Sequence, residues 1–158
     1  MTSLEIGKKF PAFSLMGQDD KKTSLKDLRG KWAVLYFYPK DNSSGCSLEA
    51  GEFSHLEPEF KKLGASVFGV SPDSSKSHDN FIEKKSLTIP LLSDPEHALL
   101  EKAGAWREKK MYGREFMGVV RSTFLIDPDG KIAFRWDKVK AAGHAKEVLA
   151  KLKELMGK

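Results

Sequence analysis

Tyr36-Phe37-Tyr38-Pro39-Lys40-Asp41-Asn42-Ser43-Ser44-Gly45-Cys46-Ser47-Leu48-Glu49 carries the only cysteine of the 158 residues. Just upstream, Trp32-Ala33-Val34-Leu35-Tyr36-Phe37-Tyr38 is an unbroken apolar and aromatic run of strand length, the pattern of a strand covered on both faces. Pro39 stops it. Asp41 to Gly45 is dense in turn formers and helix N-cap residues. Phe53, Leu56, Phe60 and Leu63 then recur at three- and four-residue spacing, with Lys61, Lys62 and Gly64 as the C-terminal signature of a helix. The stretch therefore predicts a buried strand passing into the first turn of a helix, with Cys46 at the junction.

That location decides the chemistry open to the sulfur. Only the thiolate attacks, and the orphan N–H groups and positive dipole end of a helix stabilise an anion placed there. Cysteines at such sites titrate between roughly 3.5 and 7.5 in place of about 8.5. The hydroxyls of Ser43 and Ser44 are candidate donors to the sulfur or to a bound oxygen. Cys46 and Phe53 lie seven residues apart, which sets the sulfur along the buried seam of the helix. A structural cysteine is the competing account, because free cysteine is among the most buried residue types.

Working outward, Leu4 to Lys22 reads as an extended opening segment, with Ala12–Met16 a short strand, a turn at Gly17–Asp20 and a returning strand at Thr23–Leu25. Beyond the first helix, Ala65–Val70 is a second buried strand and Ser71–Ser75 a loop with N-cap candidates. A helix from Lys76 to Lys85 buries Phe81 and Ile82. Ile89–Leu92 is a short apolar element, and Ser93-Asp94-Pro95-Glu96 reads as a helix start with proline at the first position. That helix runs from His97 to Ala103. Thr123–Ile126 and Lys131–Trp136 flank Asp127-Pro128-Asp129-Gly130, a hairpin signal. A final amphipathic helix sets Ala145, Val148, Leu149, Leu152, Leu155 and Met156 on one stripe, with Glu147 and Lys151 paired on the other. Strands alternating with helices make an α/β layered plan, taken as one domain over residues 1–158.

Bulk properties exclude several classes. Hydrophobic content of 40% and charged content of 31% are those of a soluble globular protein. No run of about 18 apolar residues exists to span a membrane, and Met1 to Phe10 has no apolar signal core. The cytoplasm is the expected location. The net charge of +5 raises nucleic acid as a partner, but lysines alternate with acids throughout and no basic run interleaves with aromatics. His55, His78, His97 and His144 are scattered, without metal-ligand spacing, and read as surface or capping residues. Trp106 and Tyr112 flank Arg107–Lys110 and either border a site or pack.

Pro39-x-x-x-Ser43-x-x-Cys46 resembles the active-site motif of the peroxiredoxins. The longer string, Tyr36–Asn42 with Gly45-Cys46-Ser47-x-Glu49, is similar to the peroxiredoxin Q branch, also called bacterioferritin comigratory proteins. The likeness continues through Gly69-Val70-Ser71-x-Asp73-Ser74, Ser77–Phe81, Pro90–Asp94, Met111-Tyr112-Gly113 and Arg121–Asp127, nearly the whole chain. It implies a thioredoxin-like fold, a central mixed sheet flanked by helices, with an N-terminal extension. It implies a thiol peroxidase that reduces hydrogen peroxide and organic hydroperoxides without cofactor or metal. Cys46 would be the peroxidatic nucleophile, passing through a sulfenic acid. Pro39 would shield the sulfur and Ser43, where the family usually has threonine, would hold the peroxide. Arg121, by its position alone a solvated strand end, would contact sulfur and peroxide. Glu49, one turn after Cys46, would anchor the Arg121 guanidinium.

The departures matter too. The positions where relatives carry a resolving cysteine are Gly51 and Ile82 here, so the chain resembles the single-cysteine subgroup. Its sulfenic acid would need an external thiol, such as thioredoxin, glutaredoxin or a small thiol, or a brief pairing between two copies. The resemblance favours a monomer, with a weak homodimer as the other case. Two other readings stay open. A disulfide oxidoreductase normally needs Cys-x-x-Cys, whereas Glu49 stands at the second position. A redox-sensing or chaperone-like binding protein on the same fold would turn peroxide over slowly.

Overall fold

In the computed structural model, residues 4–158 are described. The elements in order are β1 (Ser14–Gly17), β2 (Lys22–Ser24), β3 (Trp32–Phe37), α1 (Ser44–Lys62), β4 (Ala65–Ser71), α2 (Ser75–Lys85), β5 (Leu91–Ser93), α3 (Ala98–Lys102), β6 (Trp106–Met111), β7 (Arg114–Val119), β8 (Ser122–Ile126), β9 (Ile132–Trp136) and α4 (His144–Leu155). Seven strands form one mixed sheet in the order β2-β1-β5-β4-β3-β8-β9, and β6 with β7 makes a separate two-stranded ribbon. β3 runs parallel to β4 and antiparallel to β8, with Tyr36 opposite Gly69 on one side and Thr123 on the other.

β3 shows why its sequence lacks alternation. Val34, Tyr36 and Tyr38 enter one core, with Phe53 and Phe60 of α1, Phe81 of α2, and Val148 and Leu152 of α4. Ala33, Leu35 and Phe37 enter the opposite core, with Phe10, Leu99, Leu100, Phe124 and Ile126. Both faces are buried, so both sets of side chains must be apolar. Burying such a side chain contributes about 1.5–3 kcal/mol, and this two-sided packing fixes the strand end from which Cys46 follows.

α1 continues through Pro58, a residue that cannot donate to Ser54 four positions back. The Thr88 hydroxyl donates to the Ser54 carbonyl at 3.3 Å, and the Ser54 hydroxyl accepts from Thr88 N–H at 3.1 Å. The freed acceptor is thereby satisfied and the helix reaches its end at Leu63, where Gly64 takes φ +74°.

Several expectations need correction. The first strand is Ser14–Gly17, shifted from Ala12–Met16, and its partner is Lys22–Ser24. Pro95 lies outside any helix: His97, at φ 64°, is the residue before α3, which starts at Ala98. Asp94 instead reaches forward, accepting from the Leu100 N–H at 2.8 Å. Ile82 is only half-buried and Leu155 is exposed. Lys151 pairs with Glu154 at 2.5 Å, while Glu147 accepts from His144 Nδ1 at 3.0 Å, so the Glu147–Lys151 pair does not form. His78 and His144 are buried and hydrogen-bonded, not surface residues. The β6–β7 ribbon was not anticipated. β6 is mostly charged, and the two-residue turn at Tyr112 and Gly113 has both φ values positive, 53° and 75°, the conformation a tight hairpin favours. No helix among the described residues is long and apolar enough to cross a membrane.

Candidate active site

Three elements meet at Cys46. β3 ends at Phe37 and its neighbour Tyr38 makes a last ladder bond, N–H to the Val70 carbonyl at 3.0 Å. The following loop turns at Asn42, whose φ is 64°, and α1 begins. Its first intrahelical bond runs from Ser47 N–H to the Ser43 carbonyl at 2.8 Å. The N–H groups of Ser44, Gly45 and Cys46 precede that bond, and no side-chain cap closes the helix at Ser43. These are the orphan donors of a helix N-terminus, and Cys46 is among them.

The third element brings charge. Arg121 immediately precedes β8, whose Ser122 pairs with Phe37, so the strand register sets the guanidinium over the start of α1. Its Nη2 donates to Cys46 Sγ at 3.4 Å and its Nη1 to Glu49 Oε1 at 2.8 Å. One planar fork thus spans two acceptors a helical turn apart. Cys46 is 1% exposed and Glu49 0%, while the Arg121 side chain retains 17%. Gly45 makes the approach feasible: a Cβ there would sit 3.0 Å from Arg121 Nη2, the same nitrogen that donates to the sulfur.

Burial pushes the Glu49 carboxyl up to about 7, against the pull of Arg121. Its Oε2 is buried and has no hydrogen-bond partner among the described residues. Burial also opposes the charge on Arg121, but Glu49 and Cys46 together outweigh it and raise the guanidinium above its ordinary value. The two directions agree on one physical picture: the arginine stays charged, and its carboxylate partner titrates near neutrality.

Of the residues expected to act together, Cys46, Arg121 and Glu49 are assembled. Ser43 sits in the loop, but its hydroxyl donates to the Lys40 carbonyl at 3.1 Å and makes no bond to the sulfur. Of the two expected acceptors of the Ser43 hydroxyl, the sulfur or a bound oxygen, the sulfur is not engaged, and the hydroxyl braces the turn. Pro39 is half-buried between β3 and that turn. Among the described residues no three His, Cys, Asp or Glu side chains converge as a metal site. Trp106 packs, stacked on His97 at 3.7 Å, and Tyr112 is 97% exposed at the tip of the ribbon.

Three neighbours went unread in the sequence. Tyr36, buried and with no hydroxyl partner among the described residues, has its phenol raised well above the usual value by burial and then by Glu49 and Cys46, so it stays neutral. Gly69 makes room for that ring, since a Cβ there would lie 2.8 Å from the Tyr36 hydroxyl. Lys109 of β6 donates to the Val119 carbonyl at 2.8 Å, and burial first, then the like charge of Arg121, lowers its ammonium while Cys46 raises it. The ribbon therefore supplies a second cation near the sulfur. Only the Gly69 position carried a signal, a glycine inside an apolar strand.

Residues 6–135 match the AhpC/TSA family. Peroxiredoxin Bcp of Bacillus subtilis is 45% identical over 156 residues, 99% of each chain. Peroxiredoxin Bcp of Xanthomonas campestris is 50% identical over 132 residues, covering 84% of this chain and 82% of that one. Among solved structures, a cysteine-to-serine variant of Xylella fastidiosa PrxQ superposes with TM-score 0.92 at 43% identity, covering 97% and 98% of the two chains. The Xanthomonas campestris bacterioferritin comigratory protein, described for its alkyl peroxide reduction activity, superposes with TM-score 0.89 at 44% identity over 95% and 98%.

Proposed function

Because this chain belongs to the AhpC/TSA family and is a thiol peroxidase of the peroxiredoxin Q type, we propose that Cys46 is its peroxidatic nucleophile, with Arg121 as charge partner, Glu49 as the anchor of Arg121, and Pro39 and Ser43 as the wall of the peroxide site. The thiolate forms an S–O bond with the terminal oxygen of a hydroperoxide as the O–O bond breaks. The departing oxygen takes the hydroperoxide proton and leaves as water or an alcohol, and the sulfur remains as the sulfenate, which gains a proton from solvent to become the sulfenic acid. Negative charge moves from sulfur toward the leaving oxygen, and a fixed guanidinium beside the sulfur stabilises both ends of that shift. The observation that carries the reading is the single Arg121 fork shared between Cys46 and Glu49.

The sulfenic acid is reduced by an external thiol in this reading. That thiol attacks the Cys46 sulfur, water leaves, and a second thiol resolves the mixed disulfide. Thioredoxin, glutaredoxin and small thiols all have the required chemistry. The reading takes the monomer as the working form.

The test is single-turnover reaction of the reduced protein with a slight excess of hydrogen peroxide, following thiol loss and sulfenate formation. Cys46→Ser abolishes both. Arg121→Ala slows thiol loss on the order of 10²–10³-fold. A wild-type rate no faster than a free small-molecule thiol would refute the assignment.

A further inference from the structure

The mechanism above leaves unused a second buried polar cluster, five residues upstream of the sulfur. Asp41 is 5% exposed and His78 0%. Asp41 Oδ1 accepts from the Tyr38 hydroxyl at 2.6 Å, and Oδ2 accepts from the Ser77 hydroxyl at 2.7 Å and faces His78 Nδ1 at 2.8 Å. The Asp41 N–H donates to Asp73 Oδ2 at 2.7 Å, an oxygen that also accepts from the Ser71 hydroxyl at 2.8 Å. His78 Nε2 meets the Leu92 carbonyl at 2.9 Å. A carbonyl can only accept, so Nε2 carries a hydrogen. The 2.8 Å contact between Nδ1 and Oδ2 joins ring and carboxylate directly.

The partners of Asp41 come from the end of β3 (Tyr38), the loop after β4 (Asp73) and α2 (Ser77 and His78), and His78 reaches on to β5 through Leu92. Asp41 itself lies inside the loop that carries Pro39 and Ser43. That loop is otherwise braced by the Ser43 hydroxyl on the Lys40 carbonyl and by Asn42 at φ 64°, a conformation that is uncommon outside glycine and is kept only where the surroundings enforce it. A buried carboxylate with this many donors is well satisfied and rigid.

We propose that the Asp41–His78 pair is a positioning device for the peroxide site. It pins the Pro39–Ser43 loop to α2 and β5, and so sets the first turn of α1 where the Cys46 sulfur and its N–H donors meet the peroxide together. Neither side chain touches the reacting atoms; both act through the loop. The inference rests on the reading that Cys46 performs the peroxide chemistry. Displacements of about 1 Å at a reacting centre cost up to about 10²-fold in rate, which is the scale of effect such a pin controls.

Two reactions of the same thiol separate positioning from mere stability. Peroxide reduction needs sulfur, donors and loop in register, whereas alkylation by iodoacetamide needs only an accessible thiolate. In folded His78→Leu, the single-turnover rate with hydrogen peroxide is expected to fall about tenfold or more, with alkylation unchanged or faster. His78→Asn, whose amide nitrogen stands in the place of Nδ1 and donates to Asp41, recovers part of the loss. Ser77→Ala removes one donor from the half-buried edge of the cluster and serves if His78→Leu does not fold. It should lower the peroxide rate about threefold at constant alkylation. Peroxide rates within about twofold of wild type in the leucine variant, or in the alanine variant where it stands in, would overturn the proposal, as would equal losses in both reactions. A wild-type protein that itself reacts no faster than free thiol would instead bring down the peroxidase assignment on which the proposal rests.

Discussion

Two buried carboxylates flank Cys46, and they are treated in opposite ways. Asp41 takes hydrogen bonds from three side chains and has its own N–H engaged. Glu49 has one partner, Arg121, and one oxygen with none among the described residues. A fully satisfied buried acid costs little to keep and makes its surroundings rigid; a half-satisfied one is held at an energetic disadvantage. The disadvantage at Glu49 is visible in its carboxyl, pushed up to about 7 by burial. One acid holds the frame of the site, and the other is poised next to the charge that does its work.

Breaking the frame is expected to have the largest effect on stability. Asp41→Ala strands the Tyr38 hydroxyl, Ser77 and His78 together in a buried space. The loss is about 3–5 kcal/mol, read as a drop on the order of 10 °C in Tm by calorimetry. A drop under about 2 °C would mean that the cluster relaxes without cost and that the two acids are not so different.

The comparison sharpens under pH. The folded-state value for Glu49 is raised from 4.5 to about 7, so the protonated acid is favoured by folding. Its contribution is complete below about 4.5 and is lost as pH rises through about 7. Relative to Glu49→Gln, wild type should therefore lose about 3 kcal/mol between pH 4.5 and 7.5 and change little above that. Urea unfolding of both proteins across this window measures it. Parallel pH profiles for the two would show that Glu49 is not held at a raised value.

A smaller effect is expected at Gly45, which no charge argument touches. An alanine Cβ there presses on Arg121 Nη2 at 3.0 Å and must shift it by a few tenths of an ångström. Gly45→Ala should slow single-turnover peroxide reduction about tenfold while costing under about 1 kcal/mol in stability. Unchanged turnover would imply that the guanidinium has slack, and the sulfur contact would then count for less.

The same contrast explains what could be read from the sequence. β3 and α1 announce themselves because their partners are generic: an apolar strand buried on both faces needs only apolar neighbours, whatever their identity. Cys46, Glu49 and Arg121 were legible through the resemblance, and the structure brings all three together. The Asp41–His78 cluster was not legible, because His78 meets its partners 37 and 14 residues away and a lone histidine in a helix has no local signature. Ser43 was read as a donor to the sulfur or to a bound oxygen; its hydroxyl here donates to the Lys40 carbonyl, which lies within its reach. The β6–β7 ribbon escaped because Trp106–Met111 is largely charged and neither it nor Arg114–Val119 shows the alternation by which half-buried strands are found. The start of α3 moved because Asp94 caps Leu100 from a distance instead of opening the helix itself.

The most direct test of the account is a double-mutant cycle on the peroxide step, with wild type, Arg121→Ala, Glu49→Gln and the double variant compared at pH 7.5 in single turnover. The account holds that Glu49 acts only through Arg121. Arg121→Ala should then cost on the order of 10²–10³-fold, and adding Glu49→Gln to it should change the rate by less than about twofold. Losses that multiply in the double variant, or an Arg121→Ala protein as fast as wild type, would contradict it.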